Sequence, residues 1–284
     1  MKSLTNKLIV YDSNCKVCSS LRNIVARFTS IPEEKIKAYK DLSPELTRNV
    51  DPEKFKNVMA LIDTAGGETM YGSKGIAYAL ASEYKTVEVL FRFKPAFNVF
   101  NYLYKIQAYN RYIIATPKST FQCNCLPDRV LKYRLGYIAV TLILSVVLTA
   151  AFGISLQTHF PLLTQGEAAM QMLLIAGTGW VLQILLSLAI LGGKALDYIG
   201  HLGSIMVVGL LILVPSMVIQ MMAGPITIWL PAVSVACSSG YMLYLHMNRA
   251  KHLGLSGVWT LSWFLLLQST ALLWIYIFHQ NYIL

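Results

Sequence analysis

The distribution of charge constrains this chain more than any motif in it. Of its 24 Lys+Arg and 14 Asp+Glu, 21 and 12 fall within residues 1–136 of 284. Only Lys194, Arg249 and Lys251, with Glu167 and Asp197, remain for everything that follows. So long a stretch with so little charge cannot be a solvated surface. A hydrophobic content of 55% lies above that of ordinary soluble domains, and the excess sits in this second part. The sequence therefore divides into a charged α/β domain over residues 1–128 and an all-α membrane bundle over residues 129–284.

A membrane-crossing helix needs about 20 mostly apolar residues. Five segments meet this, at about 137–156, 170–191, 201–223, 226–246 and 258–279. Only Gly224-Pro225 separates the third from the fourth, which predicts a tight hairpin. Pro215 and Pro231 are expected to kink these two, which neighbouring helices tolerate. The basic residues Arg129, Lys132, Arg134, Lys194, Arg249 and Lys251 all fall in alternate connections. By the positive-inside rule the N-terminal domain is cytoplasmic and the C-terminus outside, in a plasma (inner) membrane.

The net charge of +10 comes mostly from the part before the first span (21 − 12 = +9). Beside a span, such charge faces anionic lipid. No nucleic-acid motif accompanies it, so membrane lipid and not nucleic acid is the expected partner. Residues 1–7 are polar and the apolar run at 8–11 is too short for a signal peptide, so none is expected.

In the apolar part, Asp197 and His201 share one helical face, and His246 and His252 gather at the same side. His159 and His279 lie at the other. Haem or metal ligation by His201 and His246, or a quinone pocket using Asp197, is one reading. The simpler one leaves the histidines in head-group water. Cys237 stands alone in the fourth span and reads as a small packing residue.

The charged part opens on Lys7-Leu8-Ile9-Val10-Tyr11, a buried-strand pattern, followed by the N-cap cluster Asp12-Ser13-Asn14. Leu21, Ile24, Val25 and Phe28 then repeat as one helix face. Cys15 and Cys18 thus lie in the first turn of a helix after a strand. The positive end of the helix favours thiolate there, and Lys16 adds a cation. Cys15 is expected to be the more exposed, attacking thiolate, and Cys18 the resolving thiol. A second strand at 36–40, a crossover at 44–55, a hairpin of 58–62 with 69–71 about Gly66-Gly67, and a helix at 73–84 complete a thioredoxin-like order. Phe91, Phe93, Phe97, Phe100, Tyr102, Tyr104, Tyr109 and Tyr112, with Arg92, Lys94, Lys105 and Arg111, then form an aromatic, basic stretch. It serves either as an interfacial helix or as part of the domain's core.

Two other readings of the cysteines stay open. Cys123 and Cys125 would complete a zinc site with Cys15 and Cys18, or the pair is inert.

These residues resemble the DCC family of thiol-disulfide oxidoreductase-like proteins, also called DUF393. The likeness rests on Asp12-Ser13-Asn14-Cys15-Lys16-Val17-Cys18 after the strand, on Gly72-Ser73-Lys74-Gly75-Ile76-Ala77, on Tyr104-Lys105-Ile106 leading to Asn110-Arg111-Tyr112, and on Cys125-Leu126-Pro127. It covers about residues 8–127 and none of the spans. Ser13 stands where the family often has Gly. Asn57 or Val58 occupies the place where thioredoxin-like folds usually have a proline. The resemblance implies a thioredoxin-like fold and a dithiol oxidoreductase in which Cys15, Cys18, Lys16 and Asp12 are the site residues. The expected partner is a disulfide protein or a small thiol, with no cofactor beyond the redox-active disulfide. The alternatives are a membrane assembly or transport protein with a zinc module, and a haem- or quinone-linked electron carrier.

Overall fold

The structure is a computed structural model and describes residues 4–117, 126–157, 166–223 and 229–283. The chain forms two compact units, Met1–Tyr137 and Ile138–Leu284.

The first unit is built on a four-stranded sheet of order β2-β1-β3-β4, with β1 at Lys7–Tyr11, β2 at Ile36–Ala38, β3 at Ala60–Asp63 and β4 at Met70–Tyr71. β1 runs parallel to β2 (Ile9 opposite Ile36) and antiparallel to β3 (Leu8 opposite Ile62). β3 and β4 form the antiparallel hairpin expected about Gly66, whose φ of +89° puts it in the left-handed region that glycine enters freely. Because side chains alternate along a strand, β1 fills two cores. Ile9 joins Leu61, Val25 and Ala79 on one face, and Leu8 and Val10 join Ile62, Val50 and Phe55 on the other. The first face is covered by α1 (Lys16–Phe28) and α4 (Ser73–Glu83). The second is covered by the crossover that carries the short helices α2 (Pro44–Thr47) and α3 (Pro52–Phe55).

The stripe expected on α1 is narrower than its periodicity implied. Leu21 and Val25 pack on the sheet and Cys18 is buried beside Tyr112, but Ile24 and Phe28 are half exposed. With one face on the sheet, a line spaced three and four residues suffices, and Ile24 and Phe28 fall on its flank. In the aromatic stretch, α5 (Lys85–Arg92), α6 (Lys94–Tyr109) and α7 (Arg111–Ile114) follow α4. α6 buries Tyr104 and Ala108 on one side and Ile106, packed with Ile113 and Tyr133, on the other, so part of the stretch completes the domain's own core.

The second unit contains most of α8 (Leu131–Leu156), with α9 (Ala168–Ile190), α10 (Ala195–Ala223), α11 (Trp229–His252) and α12 (Gly257–Ile283). Among the described residues, four helices, α8, α9, α10 and α12, are long and apolar enough to cross a membrane, as in a multi-pass membrane protein. The count of five from sequence thus becomes four by length and composition. α11 has the length but is diluted by Ser234, Ser238, Ser239, Tyr241, Tyr244 and His246. Close approach between helices uses small residues. Gly179 of α9 lies against Leu267 and Thr270 of α12, and Ser238 of α11 donates to the Gly209 carbonyl of α10 at 2.8 Å. The Gly224-Pro225 turn lies outside the described residues.

Candidate functional site

The buried-strand pattern of β1 delivers Asp12 and then Cys15 to the start of α1. Cys15 is the N-cap residue, and its Sγ accepts the Cys18 backbone N–H at 3.2 Å. A thiolate there takes the place of the oxygen in an ordinary N-cap, satisfying one of the helix's unpaired N–H groups. The two sulfurs share a small core with Tyr112, flanked by Tyr11 and Val17.

Cys15 is 0% exposed and Cys18 6%. Both are buried, and the expectation that Cys15 is the more exposed is corrected. Tyr112, remote in sequence, packs over the turn and closes it. Lys16 is solvent-exposed, and the cation buried near the pair is Arg111.

Asp12 organises the surroundings. Its Oδ1 accepts the Asn14 N–H at 2.9 Å and its Oδ2 the Tyr112 hydroxyl at 2.8 Å. Arg111 Nη2 lies 3.4 Å from that same Oδ2, an ion pair with both side chains almost wholly buried. Arg111 also donates to the carbonyls of Lys56 at 2.9 Å and Asn57 at 3.3 Å, tying the segment before β3 to the dithiol turn. Asn57 in turn exchanges hydrogen bonds with Asp128: its Nδ2 donates to Oδ2 at 2.8 Å and its Oδ1 accepts the Asp128 N–H at 2.7 Å. Lys56 Nζ pairs with Asp128 Oδ1 at 3.0 Å.

The two thiols are driven apart in acidity. Cys15 is lowered below the ordinary thiol value, chiefly by the hydrogen bond between the two sulfurs, then by the Cys18 backbone N–H and the positive field of Arg111, against the opposing effect of burial. Cys18 is pushed well up, first by donating that bond to Cys15 and then by its burial. One thiolate beside one protonated thiol is a division of labour suited to disulfide exchange. Burial and the hydroxyl's bond to Asp12 push the Tyr112 phenol up.

Cys123 and Cys125 lie outside the described residues, as does His159. Among the described residues no group of three or more His, Cys, Asp and Glu is arranged to hold a metal ion. His201 and His246 are 4% and 1% exposed, which corrects the placement of these histidines in head-group water. His246 stacks on Trp263 at 4.4 Å, with Nε2 against the Tyr198 hydroxyl at 2.8 Å and Nδ1 against Thr260 Oγ1 at 3.1 Å. His201 Nδ1 meets Arg249 Nη1 at 3.1 Å, and its ring lies 6.3 Å from that of His252. His279 is exposed. Cys237 is exposed on α11 and not a packing residue.

In the sequence Arg111 and Tyr112 are marked only as part of an aromatic, basic stretch and of a family likeness, which assigns them no role. Nothing in local periodicity ties them to Asp12, 100 residues before Tyr112.

The fold and site define a chain with a small mixed-sheet unit carrying a buried Cys-x-x-Cys dithiol, followed by an apolar helical unit. Compared with models of protein families, with curated proteins and with solved structures, the chain matches none.

Proposed function

We propose that this chain is a membrane-anchored thiol-disulfide oxidoreductase of the DCC type, with a thioredoxin-like domain on the cytoplasmic side of a five-span anchor. The observation that carries the proposal is the Cys15 sulfur at the α1 N-cap, bonded to the Cys18 N–H at 3.2 Å and lowered in pKa while Cys18 is raised. The sheet order β2-β1-β3-β4, with β1 parallel to β2 and antiparallel to β3, supports the thioredoxin-like reading.

In the forward step the Cys15 thiolate attacks one sulfur of a substrate disulfide. A mixed disulfide forms and the other substrate sulfur leaves as thiolate, which takes a proton. Cys18 then gives up its proton and attacks Cys15 Sγ, closing the Cys15–Cys18 disulfide and releasing the second substrate thiol. The substrate gains two electrons and the dithiol loses two. A small thiol or a dithiol protein restores the pair by the reverse exchange. Facing a reducing cytoplasm, the resting form is the dithiol. Because Tyr112 closes the turn, attack requires its side chain to swing away.

The test is a redox titration of the purified full-length protein against glutathione, with alkylation and mass spectrometry to locate the thiols. Metal content is measured on the same sample. Joint conversion of Cys15 and Cys18 to a disulfide at one potential, without zinc, is the expected result. Protection of both cysteines with one zinc per chain, released only by a chelator, would overturn it.

A further inference from the structure

α6 carries an exposed apolar stripe. Val99, with Tyr102 and Leu103 three and four residues after it and so on the same side of the helix, are 61%, 46% and 53% exposed. The other side of α6 is occupied, since Phe97 and Phe100 lie 6.0 and 4.8 Å, ring to ring, from Phe91 of α5. Where the stripe continues to Ile106 it is covered, and the cover is the start of α8: Ile106 packs with Tyr133 and Tyr137. Asn110 Nδ2 donates to the Tyr133 carbonyl at 2.9 Å, and the rings of Tyr109 and Tyr133 lie 4.8 Å apart. A Cβ on Gly136 would meet Tyr102 Oη at 3.1 Å and Ile106 Cδ1 at 3.0 Å. Going back along α6 from Asn110 to Tyr102 thus advances along α8 from Tyr133 to Gly136. α8 has no charged side chain after Arg134. Tyr102 therefore stands beside the point at which a helix apolar enough to cross a membrane becomes free of charge, and Val99 is the next turn in that direction.

The charge around the stripe selects its occupant. α6 contains no acidic residue, and Lys94 and Lys105, about three turns apart, border the stripe on the same side with Asn98 between them. Among the described residues neither lysine has an ion-pair partner. A second copy seated on this face would set lysine near lysine with no carboxylate of α6 to pair them. An anionic bilayer meets both features: lipid head groups pair the lysines, while the apolar side chains and the tyrosine enter the boundary with the acyl chains. We infer that α6 lies on the surface of the bilayer that α8 enters, with Val99, Tyr102 and Leu103 in the head-group boundary and Lys94 and Lys105 against anionic lipid. This rests on the membrane reading of α8 and not on the dithiol chemistry.

The test places an environment-sensitive fluorescent amino acid at Leu103, at Glu45 of α2 or at Leu142 of α8, all three exposed positions, one per full-length protein. Each protein is set in nanodiscs of phosphatidylcholine and phosphatidylglycerol, with and without brominated acyl chains. Brominated lipid is expected to quench the label at Leu103 and at Leu142 at least twofold and to leave that at Glu45 unchanged. Lys94→Glu/Lys105→Glu should cut the quenching at Leu103 at least twofold in these discs, and not in discs of phosphatidylcholine alone. Pulse proteolysis within the first unit checks that this variant is folded. Raising the salt to about 1 M, which needs no variant, should act in the same direction. Quenching at Leu142 with Leu103 as bright as Glu45 would overturn the inference and leave the membrane reading standing; no quenching at either would sink both. A label at Leu103 shielded from aqueous iodide only when two copies share a disc would assign the stripe to a second copy. Quenching at Leu103 that neither charge reversal nor salt reduces would remove anionic lipid as the partner. Each of these results overturns the inference.

Discussion

Replacing Arg111 by glutamine removes the cation from the dithiol's surroundings while keeping some of the side chain's bulk and hydrogen-bonding capacity. In the structure its guanidinium lies 3.4 Å from Asp12 Oδ2, with 3% and 4% of the two side chains exposed. At that separation and an effective dielectric of about 20, the pair attraction is about 5 kcal/mol. Breaking one partner of a buried pair costs about 3–5 kcal/mol, largely because the other charge is left orphaned. Arg111→Gln should therefore destabilise the first unit by about 3–5 kcal/mol, and by less than half of that in an Asp12→Asn background, where no carboxylate is orphaned. All five tryptophans, Trp180, Trp229, Trp259, Trp263 and Trp274, belong to the second unit, so their fluorescence does not report this loss. Pulse proteolysis of the full-length protein in detergent, cutting within the first unit, does. The same variant should shift the pH midpoint of Cys15 alkylation upwards, since Arg111 is among the groups that lower this thiol. Costs for the two substitutions that simply add, together with an unmoved alkylation midpoint, would refute the coupling of Arg111 to both Asp12 and the thiolate.

Three further outcomes follow. Tyr112→Phe loses the hydroxyl bonded to Asp12 Oδ2 at 2.8 Å and should cost about 1.5–3 kcal/mol, the range for a bond to a charged group; Tyr112→Ala should in addition speed alkylation of Cys15, and an unchanged rate would remove Tyr112 as its cover. With the cysteines reduced, stability should rise with pH across the window between the lowered Cys15 value and the ordinary thiol value, because there the unfolded chain binds the extra proton, and should fall above the ordinary value, because folded Cys18 keeps its proton longer; urea titrations across pH 6–10 on wild type and on Cys15→Ala/Cys18→Ala read this dome, which the double variant should flatten. Tags at the two ends should be protected on opposite sides of sealed vesicles if α11 crosses the membrane with the other four helices, and on the same side if it does not.

Much of the first unit was legible because its signals are local. The run Leu8-Ile9-Val10 announces a strand buried on both faces, Asp12-Ser13-Asn14 a helix start, and Gly66 a tight hairpin. Periodicity makes the apolar face of α1 wider than the surface it meets, because it does not say how broad that surface is. At the site, spacing placed Cys15 and Cys18 in one turn. It could not place Arg111 and Tyr112, which reach Asp12 by long-range packing of α7 and carry no periodic mark of doing so. The nearest cation in sequence, Lys16, points to solvent, while the cation that acts on Cys15 arrives from the other end of the domain. Proximity along the chain was a poor guide to proximity of charge.

In the second unit composition and burial point different ways, and α11 shows why. Averaged composition leaves it outside the group of helices apolar enough to cross a membrane, yet three of its polar side chains, Ser238, His246 and Arg249, are buried. Ser238 bonds to the Gly209 carbonyl, His246 lies between Tyr198 and Thr260, and Arg249 meets His201, all three being buried among neighbouring helices. Trp229, Ala232, Val233, Val235, Ala236, Cys237, Gly240, Tyr241, Tyr244 and Met247 are exposed along the helix, and Asn248, Lys251 and His252 are exposed at its C-terminal end. In a membrane, polar side chains are tolerated where other helices satisfy them, and only the outer surface has to match lipid. A window average mixes the buried polar side chains with the exposed ones and so overstates the polarity of the outer surface. Up to Met247 the exposed side of α11 is thus largely apolar or aromatic, around an inward polar network. The sidedness of the two ends is therefore the decisive observation for whether α11 crosses with the four helices that are long and apolar enough to do so.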